Sequence, residues 1–189
     1  DTFWIVNMVR VRGDGALVEA LARRADVALV EADSPRRMDI PVPPSGESPR
    51  PLAAVAVEWN VTKIRAPEAW AEGALGQGVV VAGADTGYSW DHPTLVNQYR
   101  GWNGAAADHN HHWHDAIHEG ASDCGVDSLV PCDDSGHGTH TMGTMVGDDG
   151  GTNQVGVAPG ATWIGCRNML EGDGTPATYA ECYEWFIAP

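Results

Sequence analysis

Two short segments carry residues whose types and spacing could do acid–base chemistry. The first is Ala84-Asp85-Thr86-Gly87, which ends the apolar run Val79-Val80-Val81-Ala82-Gly83-Ala84. Such a run reads as a strand buried on both faces of a parallel sheet. A carboxylate at the carboxyl end of that strand stands where ligand crevices open in α/β sheets. The second is Asp134-Ser135-Gly136-His137-Gly138-Thr139-His140. The glycines beside His137 let backbone approach closely and leave the imidazole accessible. His137 stands at the start of a helix expected over residues 138–147, where the helix dipole disfavours an imidazolium. A buried aspartate bonded to the ring would counter that and fix its tautomer, as the acid of a catalytic triad does. Taken singly, Asp85 also reads as an ordinary turn residue before glycine, and His140 reads as a core histidine satisfied by its neighbours.

A third segment invites a metal. His109, His111, His112, His114 and His118 put five histidines within ten residues, and His114 and His118 have i,i+4 spacing. No His-Glu-x-x-His occurs, and Trp113 in their midst favours a packed aromatic-polar insertion. The alternative function this leaves is an acidic, secreted metal-binding module built on the His-rich loop 109–118.

The elements that must position these groups follow from the rest of the chain. Its 189 residues allow one domain with a small appendage, and 43% hydrophobic with 20% charged residues is a globular mixture. The apolar runs are too short to cross a bilayer, so no membrane partner is expected. The net charge of −15 argues against a nucleic-acid partner. That charge is uneven: residues 1–65 are neutral overall, while 66–189 hold 17 acidic residues against Arg100 and Arg167. Two parts with different surfaces are implied.

Residues 3–12 read as a strand, 16–25 as a helix and 26–31 as a second strand, a small β-α-β unit. Residues 33–51 hold six of the twelve prolines and read as an extended linker. Further on, a short helix is expected at Pro67–Ala71, a strand at 161–169 and a helix at 178–187, which gives an α/β layered domain. Four cysteines contain no Cys-x-x-Cys pair. The pairing Cys124–Cys132 with Cys166–Cys182 is the simplest of three because both loops are short, and free thiols in a cytosolic protein are the alternative. Residue 1 is Asp and the last residues are apolar, so both ends are expected to be cut.

Four segments read together resemble the subtilisin-like serine proteases. They are Val81–Gly87, Asp91-His92-Pro93-Thr94-Leu95, Ser135–Gly147 with its Gly-His-Gly-Thr-His core, and Val155-Gly156-Val157-Ala158-Pro159-Gly160-Ala161. Within that family the chain looks most similar to the bacillopeptidase F-like branch. The sedolisin branch would place a carboxylate where His137 stands. The resemblance implies a serine endopeptidase with Asp85 as triad acid and His137 as general base, acting on peptide or protein substrates outside the cell, with no cofactor required. It implies an incomplete subtilisin-like three-layer α/β domain with a parallel sheet over residues 55–189, preceded by a small α+β prosegment piece. Residues 1–32 would be part of an inhibitory prosegment that acts on its own protease, and 33–54 a linker with the maturation site nearby, between Ser45 and Val57. None of the seven serines has the Gly-Thr-Ser-Met-Ala-like setting of the family's nucleophile. The chain is therefore expected to be truncated before the serine and inactive in isolation. Gly172–Pro176 lies where the family places one rim of the substrate cleft, which makes Gly174 and Thr175 candidate substrate-binding residues through strand addition. Thr94 replaces an aspartate that helps hold calcium in many relatives, and the acidic loop 148–153 matches no EF-hand. Calcium is unsupported.

Overall fold

In a computed structural model the structure describes residues 1–39, 56–151 and 153–188. The maturation region and most of the expected linker lie outside them. The sheet that positions the candidate site is formed by β5 (Val80–Asp85), β8 (Thr162–Arg167) and β6 (Trp113–Asp115), in the spatial order β5-β8-β6. All its pairings are parallel, and the register sets Asp85 beside Arg167 and Arg167 beside Asp115. Three charged residues therefore line up at the carboxyl ends of adjacent strands, the edge where α/β sheets open a crevice.

The expected strand at the apolar run exists, but it is not buried on both faces. Val79 is 52% and Val80 43% exposed. The reason is that β5 is the edge of this sheet among the described residues, with β8 on one side only. Helix α4 (His137–Val146) packs across β5. Met142 and Val146 meet Tyr88, Leu95, Tyr99 and Trp163 in the main core. Helix α5 (Pro176–Ile187) covers another part of the sheet. It starts with Pro176 in its first turn and a capping box between Thr175 and Thr178. The Cys166–Cys182 disulfide ties β8 to α5, and Cys124–Cys132 closes a loop just before α4. Both bridges match the short-loop pairing.

The remaining elements are small. Helix α2 (Trp59–Lys63) and helix α3 (Ala66–Ala71) precede β5, and the short parallel pair β4 (Ala56–Val57) and β7 (Asn153–Gln154) lies apart from the main sheet. No helix among the described residues is long and apolar enough to cross a membrane.

The amino-terminal part differs from the β-α-β expectation. Strands β1 (Thr2–Phe3) and β2 (Met8–Val9) form an antiparallel pair, followed by helix α1 (Gly15–Ala22), and residues 26–31 form no strand. Leu29 is 71% exposed. An alternating pattern makes a strand only where a neighbour supplies hydrogen bonds, and none pairs with it among the described residues. Phe3 instead packs on Ala177 and Ala180 of α5. Strand β3 (Arg36–Arg37) falls where the linker was expected to begin. It pairs antiparallel with β10 (Asp173–Gly174), which also pairs with β9 (Met169–Leu170).

Candidate active site

Asp85 and His137, 52 positions apart, meet at the carboxyl end of β5. Asp85 Oδ1 accepts a hydrogen bond from His137 Nδ1 at 2.7 Å. The same oxygen accepts the Thr86 N–H at 2.7 Å, and Oδ2 accepts the Thr141 hydroxyl at 3.1 Å. The Asn168 N–H donates to the Asp85 backbone carbonyl at 3.0 Å, which ties the acid to the end of β8. Asp85 is 8% exposed, whereas the His137 side chain keeps 20% of its surface in solvent. A proton held on Nδ1 by the carboxylate leaves the Nε2 lone pair free, the arrangement of a general base.

Close packing makes this contact. A Cβ on Gly138 would stand 3.0 Å from Asp85 Cβ and collide with the Gly87 carbonyl oxygen, so only glycine lets the first turn of α4 approach β5. Gly136, at φ +83°, supplies the left-handed residue that starts the helix. The Tyr88 phenol beneath is pushed far above its ordinary pKa by burial and then by the charges of Asp85 and Asp133. It stays neutral next to the acid.

Asp133, Thr86 and Thr141 were not singled out by sequence pattern. Asp133 accepts N–H groups of Ser135 (3.2 Å), Gly136 (2.8 Å) and Thr139 (2.8 Å) and the hydroxyls of Thr86 and Thr139. Thr86 Oγ1 in turn accepts the Gly138 N–H at 3.1 Å. The carboxylate therefore caps α4 from outside and bolts it to the Asp85 turn. Its place four residues before His137 was the available signal. Asp133→Ala is expected to cost about 2–3 kcal/mol, because several donors lose a charged acceptor. The urea midpoint of the full-length protein measures it, and an unchanged midpoint would contradict the capping role.

His140 is exposed and makes no core contact, contrary to its expected burial. It lines an open cavity of about 740 Å³ with His92 and Glu58. Gly174 and Thr175 are not brought into hydrogen-bond contact with Asp85 or His137 among the described residues. Gly174 is paired on both sides, and Thr175 caps α5. The backbone edge expected to be open to a substrate strand is occupied by Arg36 and Arg37 of the same chain.

The five histidines of the insertion disperse. His109 bonds the Tyr99 hydroxyl (3.0 Å), His112 bonds the Asn110 carbonyl, and His114 bonds Glu181 (2.7 Å) and stacks on Trp185. His118 lies between Asp127 (2.5 Å) and Glu181 (2.9 Å). No group of three or more metal-ligating side chains forms among the described residues. The metal-binding reading of loop 109–118 has no support: His109 and His112 turn to other partners, His114 and His118 share Glu181, and His111 is exposed.

His118 instead joins the disulfide loop to α5. Burial pulls its pKa down, and the bonds to Asp127 and Glu181 outweigh that and hold it above 6.5. For Glu181, burial pushes up, and the bonds to His114 and His118 outweigh it and hold the carboxyl below 4.5. A raised histidine stabilises below its unfolded value and loses that as pH rises through the folded one; a depressed carboxylate stabilises above its unfolded value and loses that as pH falls. The link is thus fullest between pH 4.5 and 6.5. His118→Gln is expected to lower the melting temperature most in that window and progressively less as pH rises above it, as read by thermal melts across the range.

Comparison with known proteins accords with this geometry. The sequence profile of the subtilase family matches residues 76–189. Bacillopeptidase F of Bacillus subtilis (strain 168) is 39% identical over 195 aligned residues, which cover 100% of this chain and 13% of that protein. The major intracellular serine protease of the same strain is 34% identical over 128 residues, 68% of this chain and 34% of the relative. Subtilisin Savinase of Lederbergia lenta is 31% identical over 133 residues, 70% of this chain and 41% of the relative. The chain thus spans less than half the length of each. An Asp–His pair at the carboxyl edge of a parallel sheet, inside the segment that the profile matches, leads to one conclusion: the chain belongs to the subtilase family.

Proposed function

We propose that this chain supplies the acid and the base of a secreted serine endopeptidase. The observation that carries the reading is the 2.7 Å bond between Asp85 and His137 Nδ1, with no hydrogen-bond partner on Nε2 among the described residues. In the proposed reaction His137 Nε2 takes the proton of a serine hydroxyl as its oxygen bonds the scissile carbonyl carbon. It then returns that proton to the leaving nitrogen as the C–N bond breaks. Asp85 holds the ring and balances its transient positive charge, so the proton traffic needs no metal.

The serine is read as lying outside these residues, and the isolated chain as inactive. In support, no described serine hydroxyl bonds His137, and the sequence has no Gly-Thr-Ser-Met-Ala-like segment. Residues 1–32 are read as part of a prosegment that inhibits its own protease, 33–54 as the linker with the maturation site nearby, and 55–189 as half of the catalytic domain. Pairing of Arg36–Arg37 with Asp173–Gly174, and Phe3 docked on α5, favour that reading. Secretion accords with the two disulfides, which persist in oxidising compartments.

A fluorophosphonate probe tests the proposal, because it labels only an activated serine. The full-length protein is expected to take up one equivalent, the His137→Ala variant to take up none, and the 189-residue piece to take up none. Equal labelling of wild type and variant would remove His137 from the base role.

A further inference from the structure

We propose that Thr141 is a positioning residue for the triad acid, through a hydroxyl that fixes the second oxygen of Asp85. The inference rests on the proposed protease reading and deepens it. His137 and Thr141 are four residues apart on α4, so they share one helix face one turn apart. That face grips both oxygens of one carboxylate: His137 holds Oδ1 at 2.7 Å and Thr141 holds Oδ2 at 3.1 Å. Oδ1 has a further donor in the Thr86 N–H, whereas Thr141 is the one hydrogen-bond donor to Oδ2 among the described residues.

A nearly buried carboxylate oxygen with one donor depends on it. Without the hydroxyl only the bonds to Oδ1 restrain a turn about Cβ–Cγ, and any such turn also swings the lone pair aimed at His137. The Thr141 hydroxyl has a competing acceptor, the Gly138 carbonyl at 3.0 Å, the ordinary local bond of a threonine inside a helix. A single hydroxyl proton serves one of the two, and the ionised carboxylate is the stronger acceptor. The helix that bears the base therefore also sets the plane of the acid, so any shift of α4 moves the two groups together.

The test uses the full-length protein. Thr141→Val and Thr141→Ala remove the hydroxyl, and Thr141→Ser keeps it. Loss of the hydroxyl is expected to lower kcat about tenfold with KM unchanged, and serine is expected to restore kcat to within about twofold. Rates are referred to active enzyme titrated to completion with the fluorophosphonate probe, so a role in folding alone would leave kcat per active site at the wild-type value. If valine crowds the site and the variant does not fold, alanine, the best helix former, carries the comparison with serine. Wild-type kcat in the alanine or valine variant overturns the proposal. A second measurement stands apart from turnover: the rate at which diethyl pyrocarbonate modifies His137, read by peptide mass spectrometry. It is expected to rise several-fold in Thr141→Ala as the ring loses its fixed partner. Should the wild-type protein hydrolyse no peptide, the protease reading falls, and the modification rate still decides Thr141. An unchanged rate overturns it.

Discussion

Replacing His137 by alanine in the full-length protein is expected to lower kcat about 10⁶-fold, and replacing Asp85 by asparagine about 10⁴-fold. On the proposed protease reading, no group takes the serine proton once the imidazole is gone, so what survives is binding and oxyanion stabilisation. The asparagine variant keeps the shape but turns an N–H₂ or a weaker carbonyl acceptor toward Nδ1. With the N–H₂ facing Nδ1 the ring adopts the wrong tautomer, with its proton on Nε2; with the carbonyl facing it, the imidazolium loses its balancing charge. Asp85 and His137 act as one unit through a 2.7 Å bond, so the double variant is expected to be no worse than His137→Ala alone. Initial rates on a chromogenic peptide measure both, and accumulation of uncleaved precursor follows the same order. Retention of a tenth of wild-type kcat by either variant would contradict the assignment.

The second large effect concerns stability. Arg167 is fully buried at the end of β8 and makes two parallel 3.0 Å bonds to Asp115, itself 1% exposed in its side chain. It also donates to the Gly125 carbonyl of the disulfide loop and faces Asp134 at 3.5 Å. Burial pushes the Asp134 carboxyl above its ordinary range, while the Glu171 N–H and Arg167 draw it back. Arg167→Leu is expected to cost about 3–5 kcal/mol, because among the described residues it leaves the buried Asp115 charge with only the Ile117 and Ser128 N–H groups as donors. Adding Asp115→Asn to Arg167→Leu removes the stranded charge and is expected to recover part of the loss. Urea unfolding of wild type, single and double variants measures this, and additive losses would mean that the pair is not coupled.

Legibility in the sequence followed how local each signal was. Helix α4 and strand β8 were readable because their apolar spacing and glycines act within a few residues. The Cys124–Cys132 and Cys166–Cys182 bridges were readable because short loops close most easily. The residue-26–31 stretch carried an equally clear alternating pattern and forms no strand, because pairing depends on a distant partner. The histidines at 109–118 looked like a ligand cluster only along the chain. In space His109 goes to Tyr99 and His112 to Asn110, while His114 and His118 share Glu181 and Asp127 takes the other side of His118.

The order of residues by itself pointed to the acid and the base proposed for this protein, since Asp85 sits at a strand end and His137 between two glycines at a helix start. Their meeting was an inference from two separate motifs until the fold brought β5 and α4 within the space of one glycine. Only tertiary packing decided that Asp133 bolts the helix down, that Thr141 holds the second carboxylate oxygen and that Arg36–Arg37 lies along β10. Threonines and aspartates bond whatever donor or acceptor lies nearest. In a linear sequence the nearest group is always a local one, and the partner across the fold becomes nearest only after the sheet and helices have packed.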